Sequence, residues 1–454
     1  MSRVLVVGHE ELGERMSGPS IRNWELSRVL AATNDVTLAV PGTPGRVADD
    51  FAVRGYGPGG LGEMVDAADV VVASGYLLES HPELLSARHL VADLYDPFPL
   101  ENLHMHKAVP LEEQYRIAAH DRGVLSRLTR SGDAFLCASS RQRDFWTGWL
   151  AASGRVNPYV HDVDPGLDRV LLTVPFGISN KPPVRGAPVF RGVMPGIGEE
   201  DFLVLWGGGI WNWFDPLTLI RAAARIASEL PTLRVLFPAG VSPSEQVLPM
   251  RMAQEAKNLS DSLGLTGKIV FFGSGWIPYE SRGTMLLEAD VGVSLHLEDV
   301  ETRYSFRTRV LDYLWAGLPI VTTEGDSMAD LVEADDLGAV VPYGSVEALG
   351  DALLTLARDP GRRRSCSRRA LEVAQRYRWE VAAAQLVEYC RAPWTAPDRA
   401  ALRSEDLEVP WDGELPPRRE AGRLANRALG ILRAQGPVGL LRKSRSYLRR
   451  RISG

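Results

Sequence analysis

The feature that most constrains this chain is an alternation of short apolar runs with segments of helical periodicity, which occurs twice. Such alternation is typical of parallel sheets covered by helices on both faces. The second series begins at Phe202, after a stretch rich in Pro and Gly, Val174–Arg191. The predicted strands are Val4–Val7, Val36–Val40, Val70–Ala73, His89–Ala92, Phe135–Ala138, Phe202–Trp206, Arg234–Phe237, Ile269–Phe272, Val291–Leu295 and Ile320–Thr323. We therefore expect an α/β protein with one domain over 1–175, a linker over 176–200 and a second domain over 201–390.

Composition narrows the class of protein further. The 454 residues are 45% apolar and 24% charged, which is ordinary for a globular chain. Cys137, Cys366 and Cys390 are far apart and form neither a disulfide framework nor a metal-binding spacing, as is typical of a reducing cytosol. The first ten residues resemble a strand rather than a signal peptide. No stretch reaches the ~18 apolar residues that span a bilayer, so we expect a soluble, cytoplasmic protein.

The last part of the chain, 391–454, has a different charge pattern. Between Arg418 and Arg451 the sequence has eleven Lys or Arg residues and one acid, although the whole chain carries a net charge of −6. Apolar residues at near-helical spacing lie among these cations, a pattern that favours an anionic membrane surface. Nucleic acid is the competing anion, but no basic face interleaved with aromatics occurs elsewhere. We therefore expect 418–452 to place the protein peripherally on the inner face of the plasma membrane; the alternative is a tail without a partner.

Two glycine-rich turns follow predicted strands. Gly208 and Gly209 precede a helix that begins near Pro216, and Gly273 follows a later strand. Glycine allows a ligand to approach the backbone, and helix N-termini favour anions, so these turns predict a diphosphate site; the alternative is a tight turn without a ligand. Tryptophans occupy positions where the dinucleotide fingerprint needs small residues, which disfavours a nicotinamide-dependent dehydrogenase. One of them, Trp213, is a candidate platform for a sugar or base.

The strongest signal lies in residues 301–321, ETRYSFRTRVLDYLWAGLPIV. Arg303, Arg307 and Arg309 crowd the start of a predicted helix that also carries Asp312. Arginine offers paired donors to phosphate oxygens, and a carboxylate can hold a ribose diol. The alternative for any single arginine is a solvated helix face.

The order from Phe306 through Asp312 to Ala316, Gly317 and Pro319 resembles the signature of glycosyltransferase family 4, which comprises nucleotide-sugar enzymes of the GT-B fold. The resemblance implies two Rossmann-like parallel-sheet domains facing a central cleft, with the nucleotide sugar on the second and the acceptor on the first. It further implies transfer of a hexose or 6-deoxyhexose to a hydroxyl with retention of configuration, and no required metal or other cofactor.

The resemblance also implies individual site residues. The family has two glutamates eight positions apart; the second corresponds to Asp312, whereas the first corresponds to Tyr304, a departure that leaves Glu298 or Glu301 as the candidate carboxylate. The residues expected to bind the donor are Gly18, Gly208, Gly209, Trp213, Gly273, Glu301, Tyr304, Ser305, Phe306, Arg307, Arg309 and Asp312.

Two further departures shape the predicted chemistry. The cation pair that the family usually places after the first strand of its second domain is missing here, so Arg307 and Arg309 are expected to replace it. The first-domain histidine usually found near the reacting centre is replaced by a run that contains Asp93, Tyr95 and Asp96. We therefore expect these three residues and Arg307 to form the catalytic group.

Other readings of the sequence stay open. His104 and His106 are expected to be loop residues or acceptor contacts rather than a metal pair, because no ligand spacing surrounds them. The acceptor could be a glycan, a lipid-linked molecule or a small molecule, and cell-envelope or lipid-linked glycan synthesis is the expected setting. The alternative functions are a GT-B epimerase or pseudo-glycosyltransferase and a non-catalytic nucleotide-sugar-binding protein.

Overall fold

The computed structural model describes residues 1–239, 250–273, 275 and 278–404. Within these residues the chain forms two parallel β-sheets whose central strands are buried at consecutive positions. Burial of consecutive side chains requires cover on both sheet faces, which agrees with the near-continuous apolar runs in the sequence. The basic segment predicted to bind membrane, 418–452, lies outside the described residues.

The first sheet has seven parallel strands in the order β3-β2-β1-β4-β5-β6-β7. Its strands are β1 (Arg3–Val7), β2 (Asp35–Pro41), β3 (Ala52–Tyr56), β4 (Val70–Ser74), β5 (Leu90–Asp93), β6 (Ala134–Cys137) and β7 (Leu171–Thr173). Since β1 pairs with β2 on one side and β4 on the other, the direction of winding reverses between β1 and β4. Open α/β sheets bind ligands at the carboxyl ends of the strands that flank such a reversal.

The second sheet has six parallel strands in the order β10-β9-β8-β11-β12-β13, the same winding as the first six strands of the other sheet. Its strands are β8 (Phe202–Trp206), β9 (Leu233–Phe237), β10 (Val270–Phe272), β11 (Val291–Ser294), β12 (Ile320–Thr323) and β13 (Gly338–Val341). The reversal lies between β8 and β11. The prediction of two Rossmann-like parallel-sheet domains is confirmed, and the sequence pattern missed only the edge strands β3, β7 and β13 among those described.

Helices connect the strands and cover both sheets. In the first half they are α1 (Gly18–Ala31), α2 (Gly62–Ala67), α3 (Leu77–Ser80), α4 (Phe98–Met105), α5 (Leu111–Ser131), α6 (Ser140–Ala152) and α7 (Pro158–His161). In the second half they are α8 (Pro216–Ile226), α9 (Arg251–Ser262), α10 (Arg282–Glu288), α11 (Val300–Tyr304), α12 (Thr308–Ala316), α13 (Ser327–Ala334), α14 (Val346–Arg358), α15 (Pro360–Ala374), α16 (Trp379–Ala382), α17 (Ala384–Arg391) and α18 (Arg399–Ser404).

After α15 the chain returns to the first domain. Trp379 packs against Phe176, and the ring would collide with any side chain at Gly177. Further along, Asp398 forms a buried ion pair of 2.8 Å with Arg155 of the first domain. The segment from Trp379 onward thus contacts the linker and the first domain, while the predicted division, which assigns it to the second domain and a spacer, stays a prediction.

Candidate functional site

The loops at the carboxyl ends of the two sheets meet across an interdomain cleft. Gln142, at the start of α6, donates to the backbone carbonyl of Tyr304 at 2.9 Å. The ring of Tyr304 lies 4.8 Å from that of Phe145, centroid to centroid. On the adjoining helix α4, His104 Nε2 lies 3.1 Å from Asp299 Oδ2 of the second domain. The described conformation is therefore closed, with ligand-binding edges of both sheets in contact.

The first-domain wall of the cleft contains a buried ion pair. Arg22 Nε contacts Asp93 Oδ2 at 2.6 Å, and the same guanidinium donates to the carbonyls of Val174 and Pro175. Asp93 also accepts a hydrogen bond from the backbone of Tyr95, whose ring lies 4.7 Å from the guanidinium. Asp93 is therefore a residue that positions the Tyr95 loop, with its charge neutralised by Arg22.

Two carboxylates beyond this pair lie in the cleft. Asp96 and Glu101 are half-buried, and neither has a hydrogen-bond or ion-pair partner among the described residues. Burial and the neighbouring Asp93 raise the pKa of Asp96 to about 7. Burial, Asp96 and Glu301 raise the pKa of Glu101 well above its ordinary value. Asp96 can therefore accept or release a proton near neutral pH.

The amino end of α1 forms a further part of this wall. Gly18, at its first turn, was predicted to meet donor phosphates. Instead the carboxylate of Glu10 occupies this region, accepting hydrogen bonds from the hydroxyls of Ser17 and, at 3.0 Å, Ser20. Ser17 also caps the helix by accepting from the backbone of Ser20. Because a carboxylate already lies here, this helix end is poorly suited to a second anion.

On the opposite wall, Arg307 is committed to partners within its own domain. Its Nη1 and Nη2 donate to the two carboxylate oxygens of Glu301 at 2.9 and 2.7 Å. Its Nε lies 3.6 Å from Asp326 Oδ2. Glu301 is fully buried and also accepts from the hydroxyl of Ser305. The structure thus brings together three predicted donor contacts, Glu301, Ser305 and Arg307, but pairs them with one another.

A neutral histidine completes this buried cluster. His296 Nδ1 lies 2.8 Å from the Thr323 hydroxyl and its Nε2 lies 3.0 Å from the Ser294 hydroxyl. Burial, with Arg307 nearby, lowers the pKa of His296 well below its ordinary value. Burial also raises the pKa of Asp326 to about 6. The cluster of Glu301, Arg307, Asp326 and His296 therefore lies beneath the second-domain wall of the cleft, and its arginine is already paired with carboxylates.

Arg309 differs from Arg307 in its environment. Its side chain is 8% exposed and lies 4.0 Å from the ring of Phe214 and 4.7 Å from that of Trp206. Nη2 donates to the carbonyl of Gly209 at 2.9 Å, whereas the buried Nη1 has no hydrogen-bond partner in the described part of the chain. Burial lowers the pKa of Arg309 to about 10. A buried guanidinium without a carboxylate partner is costly unless an anion binds it.

Helix ends near Arg309 show where an anion fits. The amino end of α8 is capped by the carboxylate of Asp215, and that of α13 by the carboxylate of Asp326. The amino end of α12, in contrast, begins at Thr308 with no side-chain cap. Gly208, exposed and with φ +80°, lies on the adjoining loop. The diphosphate position predicted before the helix near Pro216 stays a prediction; Asp215 already caps α8, whereas the amino end of α12 has no side-chain cap.

Three further predicted donor contacts, Trp213, Phe306 and Gly273, occupy two kinds of environment. Trp213 and Phe306 are buried in the second-domain core, and Trp213 stacks on Trp211 with centroids 5.5 Å apart. Gly273 approaches the backbone so closely that a Cβ would lie 2.0 Å from the carbonyl of Pro238, so turn geometry explains this glycine. The structure places the Trp213 ring inside the domain, and its role as a platform for a sugar or base stays a prediction.

Asp312 lies in the second turn of α12. Its side chain is partly exposed and contacts Arg282 Nε at 3.4 Å. The guanidinium of Arg282 stacks over the rings of Tyr279, at 3.8 Å, and Trp315, at 4.6 Å. Tyr279 in turn donates to Glu25 of α1 at 2.8 Å. Asp312 therefore lies next to the interdomain boundary, where it can meet a ligand held in the cleft.

The comparisons with known proteins bear on the second domain in particular. Residues 201–359 match the family model described as "Glycosyl transferases group 1". The chain is 27% identical to a D-inositol 3-phosphate glycosyltransferase of Kribbella flavida over 41% of this chain and 43% of that protein. It is 25% identical to a phosphatidyl-myo-inositol mannosyltransferase of Mycobacterium leprae over 35% of this chain and 41% of that protein. The matches thus span less than half the length of these curated relatives.

Solved structures resemble the chain over both domains. A sucrose-phosphate synthase of Thermosynechococcus elongatus superposes with a TM-score of 0.62 at 16% identity, covering 86% of this chain and 98% of that one. WaaG, a glycosyltransferase involved in lipopolysaccharide biosynthesis, superposes with a TM-score of 0.57 at 16% identity, covering 86% of this chain and 100% of that one. Anabaena HepE, solved with UDP-glucose, superposes with a TM-score of 0.58 at 14% identity, covering 86% of this chain and 100% of that one. The fold is GT-B.

Sequence reasoning missed several residues of the GT-B cleft. Glu10, Glu101 and Gln142 lie on its first-domain wall, and Asp326 is buried beside Arg307 in the second domain, yet none of them belongs to a recognisable motif. One signal was available for Glu10, which lies three residues after the end of β1. Within the described ranges, no group of three or more potential ligands is placed to hold a metal ion, and no helix there is long and apolar enough to cross a membrane.

Proposed function

We propose that this protein is a glycosyltransferase that takes a hexose or 6-deoxyhexose from a nucleotide-diphosphate sugar and transfers it to a hydroxyl, with retention of configuration. The GT-B fold supports this function, as do the family match over residues 201–359 and the names of the relatives. The nucleotide sugar would bind on the second domain. HepE, a structural neighbour, was solved with UDP-glucose, so a uridine nucleotide is the first donor to test.

The observation that carries the proposal is the unpartnered Nη1 of the buried Arg309. Arg309 is the second residue of α12, whose amino end has no side-chain cap, and its Nη2 donates to Gly209, the neighbour of the exposed Gly208. A diphosphate bound there would satisfy the guanidinium and the free N–H groups of Thr308 and its neighbours. As the sugar is transferred, charge develops on the leaving diphosphate, and these donors would stabilise it without rearrangement.

The first-domain wall would hold the acceptor. Asp96 would accept a hydrogen bond from the attacking hydroxyl, because Asp93 is already paired with Arg22. Arg307 would hold the wall in shape through Glu301 rather than contact the donor directly. Closure through Gln142 and Tyr304 would exclude water and limit hydrolysis of the donor.

Donor binding by an Arg309→Gln variant tests the proposal. Calorimetric titration with nucleoside diphosphates and their sugar conjugates should show affinity at least tenfold weaker than for the parent protein. Arg303→Gln is the matched control, because Arg303 is an exposed arginine six residues before Arg309. Equal affinity in all three proteins would overturn the proposed site, and tight donor binding without sugar release to any acceptor would favour the non-catalytic alternative.

We infer from the sequence that residues 418–452 bring the enzyme to anionic membrane, where a glycan or lipid-linked acceptor would be available. The segment's excess of ten positive charges supports this inference. Sedimentation with vesicles containing 30% phosphatidylserine, comparing the full chain with a chain ending at residue 417, tests it. Equal partitioning of the two proteins would contradict it.

A further inference from the structure

Helix α4 of the first domain contacts the second domain near its carboxyl end. His104 Nε2 lies 3.1 Å from Asp299 Oδ2, and the backbone carbonyl of His104 accepts from the side-chain amide of Asn212 at 3.5 Å. The next residue, Met105, packs against the apolar core of the second domain. The end of α4 is therefore part of the interface between the two domains.

The second-domain partner of α4 belongs to the loop proposed to hold the donor. Asn212 lies three residues after Gly209, whose carbonyl accepts from Arg309. Asn212 is buried, and its side-chain oxygen accepts from the backbone of Met252 at 3.1 Å. The loop between β8 and α8 therefore contacts Arg309 at one point and α4 at another. A diphosphate bound to Arg309 would act on the same short loop that meets α4.

A buried polar network holds α4 on the first domain. Asn102 Nδ2 donates to Asp121 Oδ2 at 2.8 Å and to the hydroxyl of Tyr76 at 2.9 Å. The Tyr76 hydroxyl donates to the other carboxylate oxygen of Asp121. The ring of Tyr76 also lies 4.9 Å from that of Phe98, the first residue of α4. Asp121 is 1% exposed, so loss of the Asn102 amide leaves a buried carboxylate with one donor fewer.

The two sets of contacts lie on different sides of α4. Residues two positions apart in a helix do not face each other, so Asn102 and His104 point in nearly opposite directions. A helix of eight residues is not stable on its own, and α4 has no side-chain cap at its amino end. Its position therefore depends on tertiary contacts, those of Asn102 with the first domain and those of His104 with the second.

We propose that α4 couples the donor site to the acceptor wall, and that Asn102 is the positioning residue for this coupling. This inference rests on the proposed function, since it assigns a role to a helix between the two substrate sites. Asp96 lies two residues before α4 and Glu101 lies within it, so a shift of the helix moves the acceptor wall. Donor binding stabilises the loop that contacts His104, and α4 then holds the acceptor wall in the closed position. Because such coupling is reciprocal, an occupied acceptor wall strengthens donor binding by the same factor.

Hydrogen exchange of the full chain tests the coupling without an acceptor. Exchange is measured with and without an excess of uridine, guanosine or adenosine diphosphate. We expect the amides of 98–105 to exchange at least fivefold more slowly with the nucleotide that binds, because exchange reports local opening of the helix. The amides of 207–213 and 308–316 report donor binding itself in the same samples.

The possible results separate this inference from the proposed function. Protection of 207–213 and 308–316 without protection of 98–105 would overturn the coupling and leave the proposed function standing. If none of the three nucleotides protects any of these segments, both the proposed donor site and the coupling are wrong.

Two variants assign the coupling to α4. Asn102→Leu removes the first-domain anchor of the helix, whereas His104→Ala removes the contact with Asp299 and leaves the Asn102 network in place. Each variant should reduce the nucleotide-dependent protection of 98–105 at least threefold. His104→Ala tests the coupling even if Asn102→Leu lowers the stability of the protein.

The control for these variants is Asn258→Leu. Asn258 is exposed on α9, and its replacement should leave the protection of 98–105 as in the parent protein. The quantity compared is the difference between free and nucleotide-bound protein, which a purely structural role of Asn102 would not change. Full protection in Asn102→Leu would show that Asn102 is not the positioning residue, and full protection in both α4 variants would overturn the coupling.

Discussion

Gln142 of the first domain donates a hydrogen bond of 2.9 Å to the backbone carbonyl of Tyr304 in the second domain. The same amide donates to the carbonyl of Tyr95 at 2.9 Å, and its oxygen accepts from the backbone of Ala138. The side chain is fully buried. One amide therefore joins the loop before Asp96 to the segment before Arg307. Substitution of this residue tests whether the hydrogen bond contributes to domain closure.

Replacing Gln142 with Met should weaken closure. The substitution retains the volume but leaves the Tyr95 and Tyr304 carbonyls without their donor, which costs about 1–3 kcal/mol when they are buried. We expect kcat to fall about tenfold and donor hydrolysis to rise relative to transfer. Small-angle scattering with saturating nucleotide should show a larger radius of gyration than for the parent protein.

The control for this change is Gln375→Met. Gln375 also donates to a backbone carbonyl, that of Leu371, but it is exposed at the end of α15. Its replacement should leave kcat and the radius of gyration unchanged. A Gln142→Met enzyme with parental kcat and scattering would show that the bond does not contribute to closure.

Asp96→Asn should make the protein more stable and less active at alkaline pH. The folded pKa is about 7 and the unfolded value about 4, so the folded state holds an extra proton between these values. Stability from this group is present below pH 4 and is lost as pH rises through 7. In thermal melts, Asp96→Asn should have a higher melting temperature than the parent protein at pH 8 and nearly the same melting temperature at pH 4.

The activity of the same variant gives a second readout. If the ionised Asp96 accepts a hydrogen bond from the hydroxyl of the acceptor, the kcat/KM of the parent protein should decline below pH 7. The kcat/KM of Asp96→Asn should be low at every pH. If the kcat/KM of the variant depends on pH as that of the parent protein does, Asp96 takes no part in the reaction.

Arg307→Ala should act mainly on stability rather than on donor affinity. The substitution leaves the buried Glu301 carboxylate unpaired, and loss of one partner from a buried pair costs about 3–5 kcal/mol. Chemical denaturation should detect this loss. The double variant Arg307→Met with Glu301→Gln should recover part of it, since Glu301 is then neutral while Asp326 still loses its contact with Arg307. A tenfold loss of donor affinity in that double variant would instead show that Arg307 contacts the donor.

The fold was largely predictable from the sequence, whereas the roles of individual residues were not. Strands such as β8 are continuous apolar runs, so their burial follows from composition alone. Arg307 and Arg309, in contrast, look equivalent two positions apart. Their difference depends on the contact of Arg307 with Glu301, six residues before it, and on the contact of Arg309 with Gly209, a hundred residues away. Local pattern cannot identify contacts at such separation.

The return of the chain to the first domain should be essential to its stability, through the pair formed by Asp398 and Arg155. Both side chains are 1% exposed, and Arg155 also donates to the carbonyls of Thr129 and Gly132. Asp398→Asn leaves the guanidinium charge buried without a counterion, so we expect a loss of about 3–5 kcal/mol and a melting temperature lower by roughly 10 °C. Asp351→Asn, which breaks the exposed pair with Arg225, is the control and should cost less than about 1 kcal/mol. Equal melting temperatures for the two variants would show that the returning segment is not anchored by this pair.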